Sequence, residues 1–154
     1  MVAEHWLAGR EVAKARQAFV VSAEKSCGVH AYRDAARAAR QALEIWPDGE
    51  DESQRLDMLD QLGQCAQMNG DMAEAARAWR EVAEQRRQAE DWPRFADTQR
   101  RLASVYELQS NWEQALAVRR AAAEAFTQSH LPSEAAEERL AVAAHLHGAG
   151  HYTS

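Results

Sequence analysis

Apolar residues recur at three- and four-residue spacing through nearly the whole chain, and the same spacing returns after 40 residues. AYRDAARAARQALEIW from Ala31, DMAEAARAWREVAEQR from Asp71 and NWEQALAVRRAAAEAF from Asn111 align position by position. Tyr32, Met72 and Trp112 coincide, as do Ala35, Ala75 and Ala115, then Ala36, Ala76 and Leu116, and finally Ala42, Val82 and Ala122. A large residue followed by small ones on one side of a helix turning about 100° per residue predicts amphipathic helices whose alanine stripe lets a neighbouring helix come close.

The segments between them repeat as well. Leu59, Leu62, Gly63 and Ala66 share one face and are answered by Gln99, Leu102, Ala103 and Tyr106, with Leu140, Ala141 and Ala144 as a third echo at a shift of 38. Helix boundaries are signalled by Asp71 with Glu74 and Ser110 with Glu113 as capping patterns. Pro93 and Pro132 suit first turns, where a missing N–H costs little. Asn69-Gly70 and Gly28 mark helix ends, and Pro47-Asp48-Gly49 a break. The pattern predicts eight helices, near 2 to 8, 10 to 27, 31 to 46, 51 to 69, 71 to 90, 92 to 109, 111 to 130 and 132 to 147. They group as a leading helix, the antiparallel pairs 10–46, 51–90 and 92–130, and a last helix that starts a truncated repeat. No such helix buries its stripe alone, so the expected fold is all-α, a single domain over residues 1–154 in which pairs stack as a right-handed superhelix.

Composition agrees: 33 alanines and only three prolines in 154 residues favour helix and leave no expected strand. No apolar run approaches the roughly 20 residues that span a bilayer, and the N-terminus has no basic stretch followed by an apolar one, so a cytoplasmic protein without a membrane partner is expected. A formal charge of -6 opposes binding to a phosphate backbone and sets nucleic acid aside as a partner of this segment. Cys27 and Cys65 lack metal-ligand or CxxC spacing and read as buried free thiols, with no disulfide expected.

With those residues in place, the repeat resembles the tetratricopeptide family. In LDMLDQLGQCAQMNGDMAEAARAWREVAE the pair Leu62-Gly63, with Ala66, Gly70, Ala75 and Trp79, stands where that family places its signature residues. The next copy keeps Leu102-Ala103, Tyr106 and Ala115 but has Arg119 in place of Trp79 and Ser110 in place of Gly70. The 40-residue period exceeds the family's usual one of about 34. The stretch AEHWLAGREVAKARQAFVVSAEKSCGVHAYRDAARAARQALEIW also resembles the segment after the nucleotidase module in large bacterial ATP-dependent regulators of the LuxR and MalT type. That resemblance implies a fragment of such a signalling or transcription regulator.

Candidate chemistry is sparse. Lys14 and Lys25, the only lysines, follow no glycine loop, and no serine or cysteine has a nucleophile setting, so no enzyme activity and no cofactor are expected. His145, His147 and His151 lack an acidic third ligand, and no metal site is expected. Trp79 and Trp112 fall at repeat core positions and Trp92 at a helix entrance, so the five tryptophans read as packing. The tetratricopeptide resemblance implies that the first helix of each pair lines a binding groove. That groove would consist of Asp57, Asp60, Gln64 and Gln67, followed by Asp97, Arg100, Ser104 and Glu107. Val20 and Glu24, then Asp60 and Gln64, stand where peptide-carboxylate binders carry lysine and asparagine, which argues against that mode. An acidic first half and Arg100-Arg101 suit a bipolar peptide or helix. The expected function is therefore a protein-interaction or sensor module whose partner is a protein, a peptide or another domain of the parent chain. A free-standing adaptor and a small-effector sensor are the alternatives. Apolar residues on two sides of the last helix also predict either self-association through residues 135 to 152 or a continuing repeat in the parent that covers the second side.

Overall fold

The computed structural model describes residues 2–153 of the chain, with side chains from 8 to 148. Among the described residues there are seven helices and no strand: α1 (Val2–Gly28), α2 (Tyr32–Glu44), α3 (Glu52–Met68), α4 (Met72–Gln88), α5 (Trp92–Leu108), α6 (Trp112–Gln128) and α7 (Pro132–Thr153). The expected break near residue 9 is corrected, since the first two predicted helices are the single helix α1. An added Cβ at Gly9 would meet nothing within 4 Å, so this glycine serves no close contact. Within a helix it costs only about 1 kcal/mol relative to alanine, too little to break a helix among good helix formers such as Ala8, Arg10, Glu11 and Ala13. No described helix is long and apolar enough to cross a membrane.

The repeat is finer than the sequence pattern indicates. Helices α2 to α7 begin at residues 32, 52, 72, 92, 112 and 132, and α3 to α6 are each 17 residues long. Each such rod is about 25 Å long. Only α2, at 13 residues, is shorter. Pro47 disfavours helical geometry at Trp46, and the chain passes through Pro47, Asp48 and Gly49 instead.

The other turns share one hydrogen-bond pattern. Asp71, Asp91, Asn111 and Leu131 donate their backbone N–H to the carbonyls of Ala66, Arg86, Tyr106 and Phe126, at 2.8 to 2.9 Å. The residue before each donor bonds back three positions, as Gly70 does to Gln67 at 3.0 Å. Ala31 and His30 close α1 in the same way. This double bond is the Schellman cap, and it requires a left-handed residue at its centre. Gly70 has φ +88°, but His30, Glu90, Ser110 and His130 take φ +57° to +60° without being glycine. Ser110 thus ends α5 and does not cap α6, which corrects the expected Ser110–Glu113 motif. The N-cap of α6 is Asn111, with no side-chain bond. The Asp71 cap is present, its Oδ1 accepting from the Glu74 N–H at 3.2 Å.

The contacts gather into two compact units, divided between Ala78 and Trp79. In the first, α1 packs on α2 and α2 on α3. The core there is mostly small: Ala35, Ala36, Ala38, Ala39 and Ala42 of α2 meet Leu59, Leu62 and Cys65 of α3 as buried residues. In the second, α5 packs on α6 and α6 on α7. Ala96, Ala122, Ala125, Phe126 and Ala135 form its core cluster, edged by Trp92, Phe95 and Leu131.

Two packing expectations are corrected. Trp112 is 46 % exposed, so it is not a core residue, and its ring stacks on His145 at 4.8 Å. Leu140 is 71 % exposed, because α7 repeats at 40 residues and not at 38. A two-residue slip turns a helix by about 200° and exchanges its faces. The inward residues of α7 are Ala135 and Glu138, with Val142 and His145 half-buried.

A left-handed conformation strains any residue with a Cβ, so glycine at the turn centres should stabilise the fold. Glu90→Gly, Ser110→Gly and His130→Gly are each expected to raise the unfolding free energy by about 0.5–1 kcal/mol, while Gly70→Ala should lower it by a similar amount. Urea denaturation followed by circular dichroism measures all four.

Candidate functional site

The polar face of α3 lies where the sequence put it. Met58, Leu59, Leu62, Gly63, Cys65 and Ala66 are buried, whereas Asp57 and Gln64 are exposed and Asp60 and Gln67 half-buried. Those four lie three or four positions apart in succession and so form one stripe along α3, a surface with two carboxylates and two amides.

The matching stripe on α5 belongs to the second unit and is spent differently. Asp97 is exposed, but Arg100, Ser104 and Glu107 are half-buried. The Ser104 hydroxyl donates to the Arg100 carbonyl at 3.4 Å, within its own helix. Arg100 donates through Nε to Glu138 at 2.6 Å, reaches Glu137 at 3.5 Å and lies 4.7 Å over the Phe126 ring. Glu107 accepts from Arg119 Nε at 2.6 Å, and Arg119 Nη1 donates to Glu138 at 2.8 Å. Glu138 of α7, only 3 % exposed at its side chain, thus sits between an arginine of α5 and one of α6. Burial works against the charge on Arg119, yet the hydrogen bonds it donates to Glu107 and Glu138, with their negative charge, outweigh it and hold the guanidinium above its ordinary pKa. Such a network fixes three helices and leaves Arg100 and Glu107 committed to their own chain.

Glu138 is the residue that the sequence reading missed. The 20-residue register contains its signal, because it stands in the column of Ala38, Met58, Ala78, Thr98 and Val118, where no other charge occurs. Arg119 stands in the column of Leu59 and Trp79. Opposite charges in two packing columns of neighbouring helices predict a pair.

The first unit has its own ion pairs. Arg40 grips Glu74 with two bonds of 2.7 Å, and this hydrogen-bonded carboxylate raises the Arg40 pKa. Beside them a recess of about 180 Å³ is walled by Arg37, Arg40, Ala66, Asn69, Asp71 and Glu74. Arg33 and Arg37 border it, exposed and without an ion pair among the described residues. Arg16, buried, lies 4.6 Å over Trp46 and pairs with Glu50 and Asp51 at 3.2 Å each. It floors a recess of about 610 Å³ that also includes Ala8, Val12, Ala13 and Pro47.

No group of three metal-ligating side chains occurs among the described residues. His151 lies outside those whose side chains are described, as does Trp6. Trp79 is buried under Arg101, whose guanidinium is 6.0 Å from its ring, and Trp92 meets Phe95 edge-on at 5.8 Å.

Removing Glu138 breaks two ion pairs at once, leaving the mostly buried Arg119 with Glu107 alone and Arg100 with only the longer contact to Glu137. Glu138→Ala is expected to lower stability by about 3 kcal/mol. The double variant Glu138→Leu/Arg119→Met should recover more than half of that loss, which a double-mutant cycle of urea melts will show.

Compared with known proteins, the chain matches no family model and no curated protein.

Proposed function

We propose that this chain is a non-enzymatic protein-interaction or sensor module of tetratricopeptide-like helix pairs, serving a larger ATP-dependent bacterial signalling or transcription regulator. What supports an interaction role is the division of labour on α3, where one face is buried and the other exposes Asp57 and Gln64, with Asp60 and Gln67 half-buried between and beside them at helical spacing. With Arg100 held by Glu138, the bipolar groove gives way to an acidic docking stripe on this helix, suited to a basic peptide or the basic face of a helix. A chain-wide charge of -6 favours the same class of partner and disfavours nucleic acid. The parent assignment rests on the resemblance of the N-terminal stretch, and a nucleotidase encoded upstream in the same reading frame is what it requires.

A second reading has its own observation. Leu140 and Leu146 of α7 are exposed at 71 % and 46 %, two large apolar side chains on different sides of the helix whose covering would favour self-association. Residues 149 to 152 of the stretch named for it have no described side chains.

Fluorescence anisotropy with short basic, acidic and neutral peptides tests the docking stripe. Basic peptides should bind best, and Asp57→Lys with Gln64→Lys should weaken them at least tenfold, with an unchanged circular dichroism spectrum. Equal weak binding of all three classes, or no effect of the substitutions, counts against the stripe. A melting temperature raised by a metabolite but by no peptide would favour a small-effector sensor. Sedimentation across a concentration series tests α7, where Leu140→Lys with Leu146→Lys should abolish any dimer.

A further inference from the structure

Cys27 and Cys65 stand 38 residues apart with no motif between them, yet their sulfurs are 3.7 Å apart, the Cys65 thiol directed at Cys27. Both belong to the first unit, one at the end of α1 and the other near the end of α3. The approach is not confined to one pair of side chains. One helical turn earlier on both helices, Gln61 Nε2 donates to the Ala23 carbonyl at 3.2 Å. A side-chain bond to the backbone of α1 requires the two helices to lie close together, and the shared four-residue step places the cysteines on the same seam. Ala23 is fully buried there and adds no bulk that would hold the helices apart.

We infer that Cys27 and Cys65 are a redox-active pair, closed by a peroxide into an intramolecular disulfide that ties α1 to α3 and opened again by a thiol reductant. The sulfurs need to approach by about 1.7 Å to reach bonding distance, a movement on the scale of a side-chain rotation or a small helix shift. Access decides the order of events. Cys27 is half-buried and Cys65 buried. Cys27 therefore meets the oxidant first: its thiolate attacks one peroxide oxygen, the O–O bond breaks, and a sulfenic acid and hydroxide result. Cys65 then attacks the Cys27 sulfur, the S–O bond breaks and the sulfenic oxygen leaves as water. In sum two thiols lose two protons and two electrons, and hydrogen peroxide is reduced to two waters. Burial, with the Cys27 contact, pushes the Cys65 thiol up to about 12, which keeps it from reacting with peroxide itself and makes its attack the slower step, its proton passing to the departing sulfenic oxygen as the S–S bond forms.

The disulfide closes a loop long enough to restrict the unfolded chain substantially. It also fixes α3, the helix that carries the proposed docking stripe. That consequence rests on the proposed function, whereas the bond itself does not. Intact mass of the full chain titrated with hydrogen peroxide should fall by about 2 Da as two titratable thiols go to none, since disulfide formation removes two hydrogens. The melting temperature should rise by on the order of 10 °C, and dithiothreitol should reverse both changes. Cys27→Ser should show neither. A gain of oxygen mass on Cys27 with Cys65 still titratable, or a disulfide-linked dimer on a non-reducing gel, overturns the inference. Because the mass readout uses the unaltered chain, it does not depend on any variant folding. Peptide binding measured on oxidised and reduced protein then reports on the docking stripe separately.

Discussion

Each reversal from α3 to α7 is made in three residues, and the central one closes the turn only by taking a positive φ. That turn sets the other dimensions of the molecule. With a 17-residue helix and a three-residue turn, the chain advances in equal steps of 20, and a given position within the step returns at the same place in each successive helix. Ala35, Ala75, Ala115 and Ala135 occupy the same position in four helices, and all are buried. An insertion of one residue within a helix would rotate the rest of that helix by about 100° and face its wrong side inward.

An alanine-lined interface allows close approach but removes little apolar area per residue, so a few larger groups must supply more of the cohesion. Trp79, Phe126 and Tyr106 do so, and each unit adds arginines laid on aromatic rings: Arg16 on Trp46 in the first, Arg100 on Phe126 and Arg101 on Trp79 in the second. Sixteen of the eighteen basic residues are arginine. Lysine would not replace them here, because a planar guanidinium stacks on a ring and forks to a carboxylate at once, as Arg100 and Arg16 both do.

From α2 onward the helices, their starts and the 40-residue register were legible because periodicity, prolines and glycines are local signals, whereas Gly9 suggested a break that α1 does not make. The 20-residue step was not, since α3 and α5 present Leu62-Gly63 and Leu102-Ala103 where α4 and α6 present Val82-Ala83 and Ala122-Ala123, a likeness in shape more than in letters. Ser110 misled because serine followed by glutamate three residues on is a cap pattern, while its left-handed backbone follows from the turn as a whole. The acidic stripe on α3 was readable from spacing alone. The fate of the corresponding α5 stripe was not, as it depends on Glu138, 38 residues beyond Arg100 in sequence. The meeting of Cys27 with Cys65 was hidden in the same way: no short-range pattern encodes a contact between helices two steps apart.

The last helix shows what the buried charges add. In α7, Leu140, Ala141, Val142, Ala143, Ala144 and Leu146 put apolar groups on every side, so hydrophobic burial alone gives this helix little reason to prefer one face. Turning Leu140 and Ala144 inward would bury more hydrocarbon than the face the structure uses, which offers Ala135, Glu138 and Val142. That rotation would also move Glu138 into solvent and leave Arg119, itself mostly buried, with Glu107 alone. Breaking a buried ion pair costs about 3–5 kcal/mol and two would be broken, more than the roughly 1.5–3 kcal/mol gained by covering one leucine. The ion pairs therefore choose the face of α7, and the leucines that the core would otherwise take are left on the surface.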